Sequence, residues 1–217
     1  MGAAFAYYRG VSPVNGHTHI VGGLLVGALL APILGQTGPH LAPFLVAAAL
    51  AGPLPDVDHP GSMYGRFVPL PGVARVYGKL EPYVGGRFGN GQRSFGHVGR
   101  RVPGGIIWHR GPVHSAPMGL AFGALAGLIA LHFAAAWVWT IGFGVLAGFL
   151  SHLALDELNV SGEYLLWPFV RKELRLKWPS WRVGSAWEVL VLVVMLAGIV
   201  GLLRPDVAHL ALRAVGR

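Results

Sequence analysis

The sequence predicts an all-α, polytopic membrane protein with about five transmembrane helices. Of its 217 residues 53% are hydrophobic and 12% are charged, and the mean hydropathy is +0.55. The charged residues are confined to a few segments, so that two long blocks, residues 10–55 and 111–155, contain no Asp, Glu, Lys or Arg. This distribution is typical of a membrane protein, because a soluble domain spreads charges over the outer faces of its helices.

Each uncharged block predicts a helical hairpin. About 20 apolar residues cross a bilayer as a helix, and each block is about twice that length. Gly and Pro interrupt the first block at 35–40, and the second block breaks near 132–137. A fifth span is expected between Arg182 and Arg204, where Glu188 is the only charge. The predicted spans are 19–35, 40–55, 114–132, 137–155 and 185–203.

A cleaved signal peptide is the competing interpretation of residues 9–34, with Arg9 as its charged end. The next apolar segment follows after a turn of about five residues, and this favours a membrane hairpin over a cleaved leader. We therefore predict one membrane-embedded domain over residues 1–217, with a Gly- and Arg-rich loop at 60–108 within it.

The basic residues predict the orientation in the membrane. Five crossings put the N-terminus and the two long loops on one side, with fourteen Lys and Arg, while the other three of the 17 are Arg204, Arg213 and Arg217. The positive-inside rule then predicts a multi-pass inner (cell) membrane protein with a cytoplasmic N-terminus and an external C-terminus. The net charge of +8 indicates anionic lipid headgroups as partners and not nucleic acid, because the basic residues border apolar spans.

Ionisable residues recur at the predicted cytoplasmic ends of the helices. Such residues are costly near hydrocarbon unless they face one another or share a cation. They are His19 in the first span, Asp56, Asp58 and His59 after the second, His109 and His114 before the third, His152 and Asp156 in the fourth, and Glu188 in the fifth. The i, i+4 spacing of His152 and Asp156 puts both side chains on one helix face.

This set of residue types indicates a metal site. The chain has no cysteine, so thiolate sites and disulfides are excluded and a metal must use imidazole and carboxylate. Such ligands suit zinc, with manganese or iron as alternatives, and carboxylates are able to bridge two ions.

Ordinary structural roles are the alternative for individual residues. A lone histidine at a helix end is most often interfacial or capping, and we assign that role to His40, His132 and His209. The alternative for His152 and Asp156 is a buried ion pair. For residues 53–60 it is a proline-rich helix stop with solvated aspartates. His17 is next to the better-placed His19 and is expected to be spare, and His97 stays unassigned.

Six motifs in order across residues 18–188 resemble a known family. The chain is similar to the LexA-regulated, membrane-bound metal-dependent hydrolases, the YdjM-like inner-membrane proteins. The motifs are "THIVG" (18–22), "LPDVDHP" (54–60), "HRGPVHS" (109–115), "HLALDELNVSG" (152–162), "LWPF" (166–169) and "VGSAWE" (183–188). The resemblance implies a multi-spanning helical protein with a metal-dependent hydrolase site, and a distant similarity to zinc-dependent phospholipases C and single-strand nucleases.

The resemblance also implies site residues. Its metal-site candidates are His19, Asp56, Asp58, His59, His109, His114, His152 and Asp156. One departure is Val113, where the family usually has a threonine, so that a hydroxyl next to His114 is absent.

The expected chemistry is attack on a phosphoester of a phospholipid or lipid-linked substrate by water activated on one or more metal ions. Arg110 is placed to hold a phosphoryl oxygen through its planar guanidinium, or else anchors the loop to the cytoplasmic side. Glu188 is expected to be a base or a further ligand.

A transporter that uses the same His/Asp cluster for metal ions or protons is the alternative function, and a non-catalytic membrane scaffold is a third. A transporter needs polar residues along the whole path through the membrane. The outer half offers only Gln36, Thr37, His40, His132 and Thr140. The sequence therefore favours the hydrolase, and it leaves the oligomeric state open.

Overall fold

A computed structural model describes residues 16–58, 62–64, 113–157, 165–167, 169–170 and 186–204. These residues form helices and turns and contain no strand. Three short 3₁₀ helices, Gly38–His40, Pro55–Asp58 and Ala135–Trp137, adjoin the longer helices. The five α-helices are α1 (Gly16–Leu30), α2 (Leu41–Ala51), α3 (Ala116–Phe133), α4 (Val138–Asp156) and α5 (Ala186–Leu203).

The predicted class, an all-helical polytopic membrane protein, is confirmed for this part of the chain. Ala116–Phe133, Ala135–Asp156 and Ala186–Leu203 are each long and apolar enough to cross a membrane, and Gly16–Leu30 and Gly38–Ala51 are shorter apolar helices. All five elements coincide with a predicted span. The single-domain prediction and the loop at 60–108 are not tested, because most of that loop lies outside the described residues.

The first two helices end earlier than predicted. After Leu30 a turn continues, and Gly35, at φ 64°, ends it. The Gln36 amide donates to the Ala31 carbonyl at 2.8 Å and the Gly35 amide to Pro32 at 3.3 Å, which is the Schellman pattern that satisfies carbonyls at a helix end. Helix α2 ends at Ala51 and not at 55, because Pro53 and Pro55 have no amide hydrogen to continue it.

Helices α1, α2 and α4 pack together at Ala48. A Cβ atom added to Gly23 of α1 would lie 2.2 Å from the Ala48 carbonyl oxygen, and one added to Gly148 of α4 would lie 2.0 Å from it. Only glycine allows the backbones to approach so closely, as is common in membrane helix packing. Helix α4 also packs against α3, and α5 packs against α1.

Helices α2 and α4 run parallel, with residue i next to residue i+100. His40 contacts Thr140 at one end and Gly52 contacts His152 at the other, each pair separated by 100 positions. Ala48 and Gly148, between them, have the same separation. His152 lies one helical turn beyond Gly148, as Gly52 does beyond Ala48, so the close packing of the glycines sets the level at which the polar side chains meet.

Helix α3 is held against α4 at the level of His114. A Cβ on Gly119 would lie 2.8 Å from the ring of Phe149, which is fully buried. Ser115 is the N-cap of α3, and its hydroxyl accepts a hydrogen bond from the Met118 amide at 3.4 Å. This cap fixes the backbone directly after His114 and directs that side chain toward α2 and α4.

Candidate metal centre

Five of the predicted ligands lie together at one end of the helices. They are His19, Asp56, His114, His152 and Asp156, and each is at most 3% exposed. Two overlapping groups have all their ligand atoms within 4.8 Å of one another: His19, Asp56 and His152 form one, and His114, His152 and Asp156 form the other. The described residues therefore contain a buried His/Asp cluster that is able to hold a metal ion.

The ligands pair between the two hairpins. His19 Nε2 of the first hairpin lies 3.7 Å from Asp156 Oδ1 of the second, and His114 Nε2 of the second lies 3.4 Å from Asp56 Oδ1 of the first. His152 Nε2 lies between the carboxylates, 3.6 Å from Asp56 Oδ1 and 3.5 Å from Asp156 Oδ2. Neither hairpin contains the centre alone.

These separations fit a coordination shell. Zinc binds imidazole nitrogen and carboxylate oxygen at about 2.0–2.2 Å, so neighbouring ligand atoms of a tetrahedral site lie about 3.3 Å apart. The distances of 3.4 to 3.7 Å are slightly longer than that. All four are also longer than the donor–acceptor distance of a good hydrogen bond, about 2.7–3.2 Å.

One ring nitrogen of His152 has a hydrogen-bond partner in the backbone. Its Nδ1 lies 2.8 Å from the carbonyl oxygen of Gly52, and a carbonyl only accepts, so Nδ1 carries the hydrogen. The lone pair of the neutral ring is then on Nε2, the atom that lies between the two carboxylates. A backbone carbonyl that orients a metal-binding histidine in this way is a common feature of protein metal sites.

His19 provides the clearest sign that a group is needed here. Among the described residues, neither of its ring nitrogens has a hydrogen-bond partner, although both are buried, and the same is true of His152 Nε2. The His19 ring stacks on His152 with centroids 3.8 Å apart, and His114 meets His152 edge-on at 5.3 Å. Buried polar atoms are usually paired, and a shared cation would satisfy His152 Nε2 and one of the two nitrogens of His19.

Hydrogen bonds hold the backbone of Asp56 and the end of α2 before it. The Ser62 hydroxyl donates to the Asp56 carbonyl oxygen at 2.6 Å, and the Tyr64 hydroxyl donates to that of Leu50 at 2.7 Å. Burial raises the pKa of the Asp56 carboxyl, but the hydrogen bond from His114 and the electrostatic effect of the neighbouring His152 ring outweigh it and hold the pKa below its usual range. Burial raises the pKa of Tyr64.

Neither group of candidate ligands among the described residues includes Glu188. It is 8% exposed, and its Oε1 accepts a hydrogen bond of 2.8 Å from the hydroxyl of Thr18, the residue before His19. The predicted role of Glu188 as a base or ligand is not tested by this geometry.

Several predicted residues lie outside the described part of the chain. His59, His109 and Arg110 belong to this group, as do the unassigned His97 and His209, for which an interfacial or capping role is predicted. Asp58 is the last residue of the second 3₁₀ helix, and its side chain is not described. The roles assigned to His59, His109, Arg110 and Asp58 therefore stay predictions.

The histidines that were not predicted to bind metal differ in their surroundings. His17 and His132 are exposed. His40 instead joins a polar network at the opposite end of the α2–α4 contact: His40 Nδ1 lies 2.9 Å from the Thr140 hydroxyl, which donates to Gln36 Oε1 at 3.0 Å. The prediction gave His40 an interfacial role and did not anticipate this network.

Sequence reasoning also missed the Gly52 carbonyl and Thr18. No side-chain pattern marks a backbone acceptor, although two prolines closely after Gly52 indicate a helix end with free carbonyls. Val113, the departure from the family pattern, is buried at 7% exposure.

Comparison with known protein families matches residues 14–215 to the family described as "YdjM inner membrane protein", which is nearly the whole chain. Comparison with curated proteins and with solved structures gives no match.

Proposed function

The chain belongs to the YdjM inner membrane protein family, and we propose that it is a membrane-embedded, metal-dependent hydrolase. Its substrate is a phosphoester of a phospholipid or of a lipid-linked molecule, cleaved at the cytoplasmic face. The observation that carries this proposal is the buried cluster of three imidazoles and two carboxylates, in which His152 presents one free lone pair.

The charges of the cluster favour a divalent ion. Asp56 and Asp156 bring two negative charges to a site that is almost closed to water. Buried charge at the edge of the membrane is costly unless it is compensated. A divalent cation balances both carboxylates and leaves the three imidazoles neutral, as metal ligation requires.

Zinc fits this ligand set, with manganese or iron as alternatives. When bound, a zinc ion lowers the pKa of a coordinated water to about 7 and polarises a phosphoryl oxygen. The carboxylates and imidazoles of this chain hold and orient the ion. Arg110, next to His109 in the sequence, is assigned to hold a phosphoryl oxygen of the substrate through two parallel hydrogen bonds.

The position of the cluster supports a lipid substrate. The ligands lie where α1 and α3 begin and α2 and α4 end, so the cluster is at one end of the apolar helices, near the level of lipid headgroups. Fourteen of the 17 basic residues are expected on this side, and this excess supports a cytoplasmic site beside anionic headgroups.

A metal- or proton-handling transporter is less well supported. The outer network of Gln36, His40 and Thr140 supplies polar groups at the other end of α2 and α4. Between that network and the His/Asp cluster, the helices meet at Ala48 and Gly148 with no room for a single methyl group. Alanine and glycine also have no polar side chain, so neither of these two positions is able to relay an ion.

The decisive experiment uses the full chain purified in detergent and returned to lipid nanodiscs. We expect stoichiometric metal by elemental analysis, and hydrolysis of at least one member of a panel of phospholipids and lipid pyrophosphates. Activity should disappear with a chelator and return with zinc or manganese. Full metal occupancy without turnover of any member of this panel would refute the hydrolase and favour the transporter.

A further inference from the structure

Thr18 and Glu188 connect the last helix to the helix that carries His19. The Thr18 hydroxyl donates to Glu188 Oε1 at 2.8 Å, and both residues are buried, at 8% exposure each. They are 170 residues apart in the chain. The bond therefore depends on the tertiary structure and lies one residue away from a candidate metal ligand.

The apolar contacts along the same interface show that α5 runs parallel to α1. A Cβ on Gly22 would lie 3.9 Å from Met195 Sδ, and one on Gly198 would lie 3.4 Å from Leu25 Cδ1. Apolar contacts between membrane helices specify their relative position only weakly, because lipid tails are as apolar as the side chains that they replace. A hydrogen bond between side chains is directional and is well suited to fix the register of α5 on α1.

His19 depends on the position of α1 for its orientation. Within the described residues, its ring nitrogens have no hydrogen-bond partner, in contrast to His152 with its bond to Gly52. The His19 ring is oriented by stacking on His152 and by the backbone that carries it. A small shift of α1 would therefore move His19 Nε2 relative to Asp156.

We propose that Glu188 is a positioning residue, which acts through Thr18 to hold α1 and so sets the place of His19 in the metal centre. This role differs from that of a base or further ligand, which the sequence led us to expect for Glu188. It requires a hydrogen-bond acceptor at position 188, not a negative charge. The inference rests on the metal centre of the proposed function, but not on hydrolysis.

The test compares zinc affinity, measured by competition with a chelator, in full-length variants reconstituted in nanodiscs. Glu188→Gln keeps an oxygen that accepts from Thr18, whereas Glu188→Ala does not. Thr18→Val removes the donor with little change of shape, and Thr18→Ser keeps it. We expect Glu188→Ala and Thr18→Val each to weaken zinc binding roughly 10-fold or more, as is usual for residues that orient metal ligands. Glu188→Gln and Thr18→Ser should bind zinc like the wild type.

A double variant adds a second criterion. Thr18→Val combined with Glu188→Ala should bind zinc no more weakly than either single variant, because both remove the same bond. If Glu188→Ala fails to fold, the contrast between Thr18→Val and Glu188→Gln answers the same question.

A loss in Glu188→Gln as large as in Glu188→Ala, with Thr18→Val unaffected, would overturn the inference and indicate a ligand or base. Equal zinc affinity in all variants would overturn it as well. A wild type that binds zinc but hydrolyses nothing would refute the proposed function alone. A wild type that binds none of zinc, manganese and iron would overturn both.

Discussion

His152 donates its Nδ1 hydrogen to the carbonyl oxygen of Gly52 at 2.8 Å, and this bond links the ends of α2 and α4. The bond leaves Nε2 as the only lone pair of the ring, directed between Asp56 and Asp156. The carbonyl is able to accept because Pro53 and Pro55 end the helix directly after Gly52. A backbone position thus determines which nitrogen of His152 faces the candidate metal.

Replacement of Gly52 tests this relationship. A Cβ at position 52 would lie 2.1 Å from the carbonyl oxygen of His19, so Gly52→Ala must separate α1 from α2. We expect zinc affinity to fall at least roughly 10-fold, because two ligands lose their orientation together. Gly198→Ala is the matched control, since its added methyl group would meet only Leu25 Cδ1 at 3.4 Å. Unchanged zinc affinity in Gly52→Ala would contradict the close packing described here.

Removal of single ligands should remove the metal. His152→Ala or Asp156→Ala should lose most bound metal by elemental analysis of the purified protein, because each supplies one of few ligands. His132→Ala should keep it, since His132 is exposed at the far end of α3. Equal metal content in the three variants would disprove the assignment of His152 and Asp156.

Acidification should release the metal through the histidines. The pKa of Asp56 lies below its ordinary value of 3.8, so the stability that this ionised carboxylate contributes is present above pH 3.8 and is lost only as the pH falls through the lower folded value. Between pH 7 and 5 only imidazoles compete for protons, with an ordinary pKa of about 6.5. Zinc affinity should fall over this interval with uptake of protons.

Asp56→Asn provides the control for that assignment. It should weaken zinc binding at every pH while the fall in affinity on acidification remains, and calorimetry in buffers of different ionisation enthalpy measures the protons exchanged. A pH dependence that vanishes in Asp56→Asn would assign the proton to the carboxylate instead.

The sidedness of the cluster can be measured directly because the chain has no cysteine. His17 is exposed beside the cluster and Thr37 is exposed in the turn between α1 and α2. The excess of basic residues on the first side predicts that a cysteine at position 37 reacts with an impermeant maleimide in intact cells, whereas one at position 17 reacts only after the cells are opened. The reverse pattern would place the cluster outside and change the substrates within its reach.

The polar network of Gln36, His40 and Thr140 should stabilise the protein without contributing to the metal centre. Thr140→Val leaves His40 Nδ1 and Gln36 Oε1 without the hydroxyl between them. We expect a loss of about 1 kcal/mol in the free energy of unfolding, the usual scale for such bonds between membrane helices. Thermal unfolding in one detergent measures the change, and Thr140→Ser should restore stability. A loss of bound zinc in Thr140→Val would instead link the two ends of the helices, as a transporter requires.

Much of the fold could be predicted from the sequence because a bilayer imposes simple rules. The absence of charge over residues 10–55 and 111–155 indicated two hairpins, since an apolar helix of about 20 residues is the shortest way to satisfy a backbone in hydrocarbon. The recurrence of His and Asp at one end of each hairpin selected the five residues that the structure brings together, among other candidates that stay predictions. The i, i+4 pair His152 and Asp156 is the clearest example, because helix geometry alone puts both on one face.

Only the tertiary structure decided which of these residues meet. Sequence periodicity describes one helix at a time, whereas the pairing of His19 with Asp156 and of His114 with Asp56 depends on how α1, α2 and α4 approach at Ala48. Glycines control that approach. Because they act through the absence of a side chain, they leave no chemical signal in the sequence. The sequence also did not reveal the hydrogen bond to the Gly52 carbonyl or the bond from Thr18 to Glu188, because both depend on how the helices pack.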